Sequence, residues 1–208
     1  MSTATDSQKH SDTELQILSS HYSETFELTK QAVVKRDRLF LYVLIVITLL
    51  LLYMNAPTAV SDWLNSFVSH QVGSNTATTI LNSAFIGTIL SLGLLTLSHT
   101  YFQTVLHVER QYSYVYELEN QLSKLFADKA FIREGKHYRE NMRLFSAWTK
   151  VIFWILSPAL FLVFNIVWLV FVFSAPPPPV IYLVVDSLIT LSTLLSLGFY
   201  LLAILKKK

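Results

Sequence analysis

This sequence of 208 residues predicts an all-α, polytopic membrane protein with four transmembrane helices and long helical extensions on one side. Two observations predict it. Four apolar runs stand at 39–54, 78–98, 151–174 and 180–205, and all sixteen Lys and Arg residues lie outside them. The first run is short and reaches bilayer length only when 55–57 are counted. The others supply the roughly 20 residues that cross about 30 Å of hydrocarbon. Composition agrees: 52% of the chain is apolar and only 14% is charged, where an ordinary soluble domain is about a quarter charged.

The basic residues also orient the chain. Lys9, Lys30, Lys35, Arg36 and Arg38 precede the first run. Arg110, Lys124, Lys129, Arg133, Lys136, Arg139, Arg143 and Lys150 separate the second from the third, and Lys206, Lys207 and Lys208 close the sequence. The connections 55–77 and 175–179 carry neither Lys nor Arg. Short loops rich in these residues stay in the cytoplasm, so both termini and the central segment are expected there. With the basic residues explained by topology, a net charge of +2 gives no argument for nucleic acid. The absence of Cys excludes a disulfide framework and a Cys-ligated metal. The first 38 residues are polar, unlike a secretory signal, so the first crossing itself is expected to direct insertion.

Along the chain, residues 1–10 are polar and unpatterned and read as a disordered tail. Ser-Asp-Thr-Glu at 11–14 has the form of a capping box. Leu15, Leu18, Tyr22, Phe26, Ala32 and Val33 follow at helical spacing, making 11–38 a cytoplasmic amphipathic helix. No Pro or Gly interrupts 11–54, which predicts one helix of about 40 residues, roughly 60 Å long. Residues 39–98 then hold crossings one and two with a short outer connection. Within that connection Val60, Trp63, Leu64, Phe67 and Val68 fall on one helical face ahead of Gly73. They predict a short helix lying in the outer interface, with an irregular loop as the alternative.

Residues 99–150 form a cytoplasmic helical loop. Phe102, Val105, Leu106, Glu109, Tyr112, Tyr116, Leu122 and Leu125 or Phe126 read as its apolar stripe, with Glu109 interrupting. A break is expected at 127–133 and a shorter helix at 134–148. Residues 151–205 carry crossings three and four, with Pro158 expected to bend the third. The Pro176–Pro179 run between them reads as stiff polyproline II, and 206–208 are a cytoplasmic basic tail.

Catalytic chemistry is not expected. The chain has no phosphate-binding loop, no H-E-x-x-H and no G-x-S-x-G. Its six His are dispersed; His99 and His107, eight apart, lack the company a metal site needs. No enzyme activity, cofactor or metal is therefore assigned. Attention falls instead on polar residues inside the crossings: Asp186, Asn165 and, nearer the outer end, Asn82. A carboxyl in hydrocarbon is costly and faces a bundle interior or a water-filled cavity. With no Lys or Arg in the crossings, Asp186 is expected either as a protonated acid bonded to Asn165 or as a partly hydrated acid near the outer mouth. Its role is helix packing or permeation.

Ser83, Gly87 and Ser91 recur at four-residue spacing on crossing two, a pattern that lets helix backbones approach closely. Packing within one chain and homo-oligomerisation explain it equally. Arg133, Lys136, Arg139 and Arg143 share one side of the last cytoplasmic helix. That basic stripe suits anionic headgroups of the lipid bilayer, a cytosolic partner or a nucleic-acid backbone.

The segment KRDRLFLYVLIVITLLLLY, with YELENQLSKLFADKAFIREGKHYRENMRLF downstream, resembles small bacterial multi-pass proteins of anti-phage defence. Among these it is similar to the transmembrane effectors encoded beside retron reverse transcriptases, over most of residues 20–155. The resemblance implies an inner-membrane protein held silent by a reverse transcriptase with its RNA–DNA product, or by another cytosolic regulator. Released by infection, it would damage the membrane and cause abortive infection. It supplies no catalytic residues. The alternatives are a non-toxic anchor or sensor that recruits a cytosolic partner and, third, a small transporter or channel.

The topology is testable. Reporter fusions at Lys208 and Gln121 are expected in the cytoplasm and a tag at Gly73 outside; a cytoplasmic location for the tag at 73 would overturn the four-crossing arrangement.

Overall fold

The fold follows from helices too long and too apolar to belong in water. A computed structural model describes residues 2–72, 82–125, 148, 151–174 and 179–206. Regular structure among them is entirely helical: α1 (Ser2–Asn55), α2 (Pro57–Val72), α3 (Ser83–Leu125), α4 (Ser157–Ser174) and α5 (Val180–Leu205). Four helical stretches, Leu15–Asn55, Ser83–Lys124, Ile152–Ser174 and Val180–Leu205, are long and apolar enough to cross a membrane. The protein is an all-α, multi-pass membrane protein.

Three boundaries differ from the sequence expectation. Helix α1 begins at Ser2, so residues 2–10 are helical rather than a disordered tail, and the Ser-Asp-Thr-Glu segment lies within the helix instead of capping it. The reason is permissive: the first Pro or Gly is Pro57, so nothing stops the helix from extending backwards. Helix α3 starts at Ser83, with Asn82 at its N-cap: the Asn82 Oδ1 accepts from the Ala84 N–H at 3.1 Å. Asn82 is exposed and occupied with capping. In crossing three the deformation expected at Pro158 is a π-helical turn, Ile152–Leu156, directly before α4. Proline lacks the N–H that would bond the carbonyl four residues back, and one wide turn resets the ladder. The expected break at 127–133, residues 134–147 of the expected helix and the basic stripe Arg133, Lys136, Arg139 and Arg143 lie outside the described residues, as does Gly73.

Two compact units divide the chain, one of residues 1–37 with 104–153, the other of 38–103 with 154–208. In the first, α1 and α3 run antiparallel. Thr25, Thr29 and Ala32 present a line of small buried residues on α1, opposite Val105, Val108, Val115, Leu118 and Leu122 on α3. Tyr22 Oη donates to Glu119 Oε1 at 3.1 Å, and His21 Nε2 lies 2.8 Å from Tyr114 Oη. Arg36 lays its guanidinium 4.0 Å above the Phe153 ring and donates from Nη2 to Asp37 Oδ1 at 2.8 Å.

The second unit gathers the crossings. Its basic-side half is filled by rings: Tyr101 lies against Phe40 and Phe161, and Phe102 against Phe161 and Tyr200, the closest pair being Phe102–Tyr200 at 4.6 Å between centroids. Helix α2 confirms the amphipathic reading of 60–68 as a helix. Ser61 is buried, while Trp63 and Phe67 stack at 6.1 Å and stay exposed, an aromatic pair of the type found at headgroup level.

Buried residues of α3 repeat at alternating steps of four and three. Gly87, Ser91, Leu94, Ser98, Tyr101, Val105 and Val108 lead on to Val115, Glu119 and Leu122, with Tyr112 the one exposed position in the series. This is a heptad seam, whose 3.5-residue period keeps one face turned towards a partner helix. It corrects the stripe read from the sequence. Leu106, Glu109 and Tyr116 are only half buried, and the acid on the seam is Glu119. Leu122→Ala is expected to cost about 2–5 kcal/mol and Tyr112→Ala far less; thermal unfolding of the detergent-solubilised protein, followed by helical signal, measures the difference.

Candidate functional site

The site is built along one face of α3 within the second unit, where the small residues at 83, 87 and 91 stand one turn apart. Each is taken up inside the chain. The Ser83 carbonyl accepts the Tyr53 hydroxyl of α1 at 2.7 Å. At Gly87 a Cβ would lie 3.0 Å from the Tyr53 ring and 3.2 Å from the Trp168 ring of α4, so the two rings occupy the volume a side chain would need. Tyr53, Trp168 and Phe171 pack with centroids 5.7–6.2 Å apart. One turn further, Ser91 Oγ lies 3.1 Å from Asp186 Oδ1 of α5. The stripe thus serves packing within one chain, and the homo-oligomer it was also compatible with is not needed to explain it.

Helix α5 turns Asp186, Ile189, Thr190, Thr193, Leu197 and Tyr200 inward at three- and four-residue steps. Asp186 is 5% exposed, as is Ser91. Thr88, nearly one turn before Ser91, donates to the Ala84 carbonyl of its own helix at 3.0 Å. The Ser91 hydroxyl replaces the expected partner. Asn165 does not bond Asp186; its Nδ2 donates to the Phe161 carbonyl of its own helix at 2.8 Å. Depth and distance explain the preference. Asp186 stands six residues into α5, about 9 Å from its start, whereas Asn165 lies nine residues from the end of α4, about 14 Å. The carbonyl one turn back is always within reach of an inward-facing amide.

Towards the basic side, His99 Nδ1 lies 3.3 Å from Ser196 Oγ, and Gln103 Nε2 lies 2.9 Å from His99 Nε2. His99 is exposed and belongs to the helix surface. Among the described residues no group of three or more His, Cys, Asp or Glu stands ready for a metal. The chemistry available is therefore that of one buried carboxyl, the Ser91 hydroxyl bonded to it and the main-chain carbonyls beside them.

Of the residues singled out in the sequence, Asp186, Ser83, Gly87 and Ser91 come together on α3 and α5. Asn165 stays apart on its own helix, and Asn82 is a cap. Missed by sequence reasoning were Tyr53 and the donor role of Ser91. The hydroxyl residues of crossing two are the signal that could have found the latter, because a single intramembrane acid must take its hydrogen bonds from such groups. No family model, no curated protein and no solved structure matches this chain.

The packing at Gly87 makes a direct prediction. Gly87→Leu is expected to destabilise the second unit by about 1–3 kcal/mol through overpacking, seen as a lower melting temperature in detergent. Gly93→Leu, at a position where a Cβ meets nothing within 4 Å, should leave it unchanged.

Proposed function

We propose that this chain is a membrane effector of anti-phage defence, which perturbs the bacterial inner membrane when triggered and so aborts infection. Its orientation in that reading has both termini and residues 99–150 in the cytoplasm, as the distribution of Lys and Arg supports. The observation that carries the reading is the Asp186 carboxyl, 5% exposed and bonded to Ser91 between two crossings. A charged side chain at bilayer depth costs about 2.5–3.5 kcal/mol on insertion scales. A bundle that only holds a protein to the membrane gains nothing from that cost, and an effector whose crossings must separate gains a releasable polar contact. The defence setting itself rests on the resemblance to retron effectors, with a reverse transcriptase and its RNA–DNA product, or another cytosolic regulator, as the partner.

A second reading is a non-toxic anchor or sensor. The ring cluster of Tyr101, Phe102, Phe161 and Tyr200 favours it, because these side chains are buried and fill the bundle interior. In the effector reading the same cluster marks a closed state, and permeation follows its displacement or assembly of several chains.

Induced expression in bacteria without the regulator tests the choice. A potential-sensitive dye should report depolarisation with the wild type and with Asp186→Asn, which retains hydrogen bonding, and little or none with Asp186→Leu at equal membrane levels. Wild-type expression that leaves the potential intact, with a cytosolic protein still captured, supports the anchor instead.

A further inference from the structure

The outward side of α3 changes chemistry before the helix has crossed the membrane. Its exposed residues follow one stripe opposite the buried seam: Phe85, Ile89 and Leu92, then Thr96, His99 and Gln103. His99 stands sixteen residues after Ser83, about 24 Å along α3, and Ser196 stands sixteen residues after Val180, the same distance along α5. The two helices meet at that level, with His99 Nδ1 3.3 Å from Ser196 Oγ. Yet the outer face of α5 stays apolar well past it. Phe199, about 28 Å along the helix, is 69% exposed, and Leu202, about 33 Å along, is 54% exposed. A hydrocarbon layer of about 30 Å therefore meets a polar notch on α3 beside an apolar α5. Arg38 of α1 gives the level a meaning. It is exposed and lies seventeen residues, about 25 Å, from Asn55 at the end of that helix free of Lys and Arg. A guanidinium on a lipid-facing surface reaches for headgroups, so headgroups come to the depth of His99.

The hydrogens of the notch say what fills it. An amide nitrogen donates and does not accept, so Gln103 Nε2, 2.9 Å from His99 Nε2, gives that ring nitrogen a hydrogen. The ring's own hydrogen is then on Nδ1, facing Ser196 Oγ. This leaves the second amide hydrogen of Gln103 and the hydroxyl hydrogen of Ser196 for an acceptor outside the chain. We propose that His99, Gln103 and Ser196 hold the phosphate of one phospholipid from the basic-side leaflet, with its acyl chains lying along the exposed apolar faces of α3 and α5. Phosphate oxygens accept hydrogen bonds and carry charge, which strengthens each bond, and Arg38 at the same depth adds attraction for an anionic lipid. A second copy of the chain would bring the same surplus of donors to the notch. Free phosphate has no acyl chain to cover the apolar faces above it. The site is separate from the Asp186 carboxyl and independent of the effector reading.

Native mass spectrometry of the full chain in detergent, with dioleoylphosphatidylglycerol titrated in, counts bound lipids one at a time. The first should bind about tenfold more tightly than those that follow, the worth of one hydrogen bond to a charged group. His99→Leu combined with Gln103→Leu should remove that difference. Both changes make a lipid-facing surface more apolar, so insertion and helical signal should stay as in the wild type. Thr48→Leu, which removes an exposed hydroxyl bonded within α1, should keep the tight first lipid. Gln103→Glu sets a negative charge against the phosphate and should abolish tight binding, while Gln103→Lys should preserve it; a packing role would show no such dependence on sign. A first lipid no tighter than the rest in the wild type, or equally tight in the double variant, overturns the site. So does a wild-type dimer that the double variant turns into a monomer, which assigns the face to a second copy. Displacement of the lipid by millimolar inorganic phosphate overturns it as well, because the acyl chains would then contribute nothing.

Discussion

A carboxyl group inside a membrane must find a partner on another helix, and the Ser91–Asp186 contact is where this protein meets that demand. Much of the second unit follows from it. For Ser91 to reach α5, α3 has to present its small face inward, which puts Gly87 against the Tyr53 and Trp168 rings. The same face lets the Tyr53 hydroxyl find the Ser83 carbonyl. Three crossings are thereby fixed against α3 over two turns of helix. Hydrocarbon gives no reward for hiding a Leu, so contacts of this kind, polar bonds and close fit, hold helices together there.

That physical setting also explains why the inward faces are not the most apolar ones. Leu41, Ile45, Leu49 and Leu52 of α1 are exposed, whereas Tyr53 is buried. On α5, Leu188, Leu191 and Leu195 face outward while Asp186, Thr190 and Thr193 are buried. In the first unit Thr25, Thr29 and Glu119 lie on the buried seam between α1 and α3, with Glu119 held by the Tyr22 hydroxyl. Ser and Thr on a helix satisfy themselves through the carbonyl one turn back, as Thr29 does with Thr25 and Thr193 with Ile189. They can be buried at small cost and leave room for close approach.

The ring cluster and the carboxyl site give the bundle two unlike regions. The rings of Tyr101, Phe102, Phe161 and Tyr200 are joined by dispersion and edge contacts, which have no charge state to change. The Asp186 carboxyl is held instead by one directed hydrogen bond from Ser91, which depends on the rotation of α3 and α5.

Class, number of crossings and most helix ends were legible in the sequence. Hydrocarbon thickness sets a length that apolar runs must meet, and the fourth run, 180–205, coincides with α5. The distribution of Lys and Arg supports an orientation from the sequence alone. The side chains that meet were not legible. Sequence periodicity follows hydrophobicity: it selected Phe102, Val105 and Leu122, which are buried, but also Leu106 and Tyr116, which are only half buried; it passed over Val108, Val115 and Glu119, which lie on the seam's 3.5-residue period. Asp186 could be recognised as costly from its surroundings in the chain. Its partner depended on helix rotation and depth, which bring Ser91 within 3.1 Å and leave Asn165 bonded to Phe161. Apolarity and length are properties of a segment and can be read along it. Which polar groups share a bond is decided by how rigid helices rotate to fit one another, and only the tertiary structure records that.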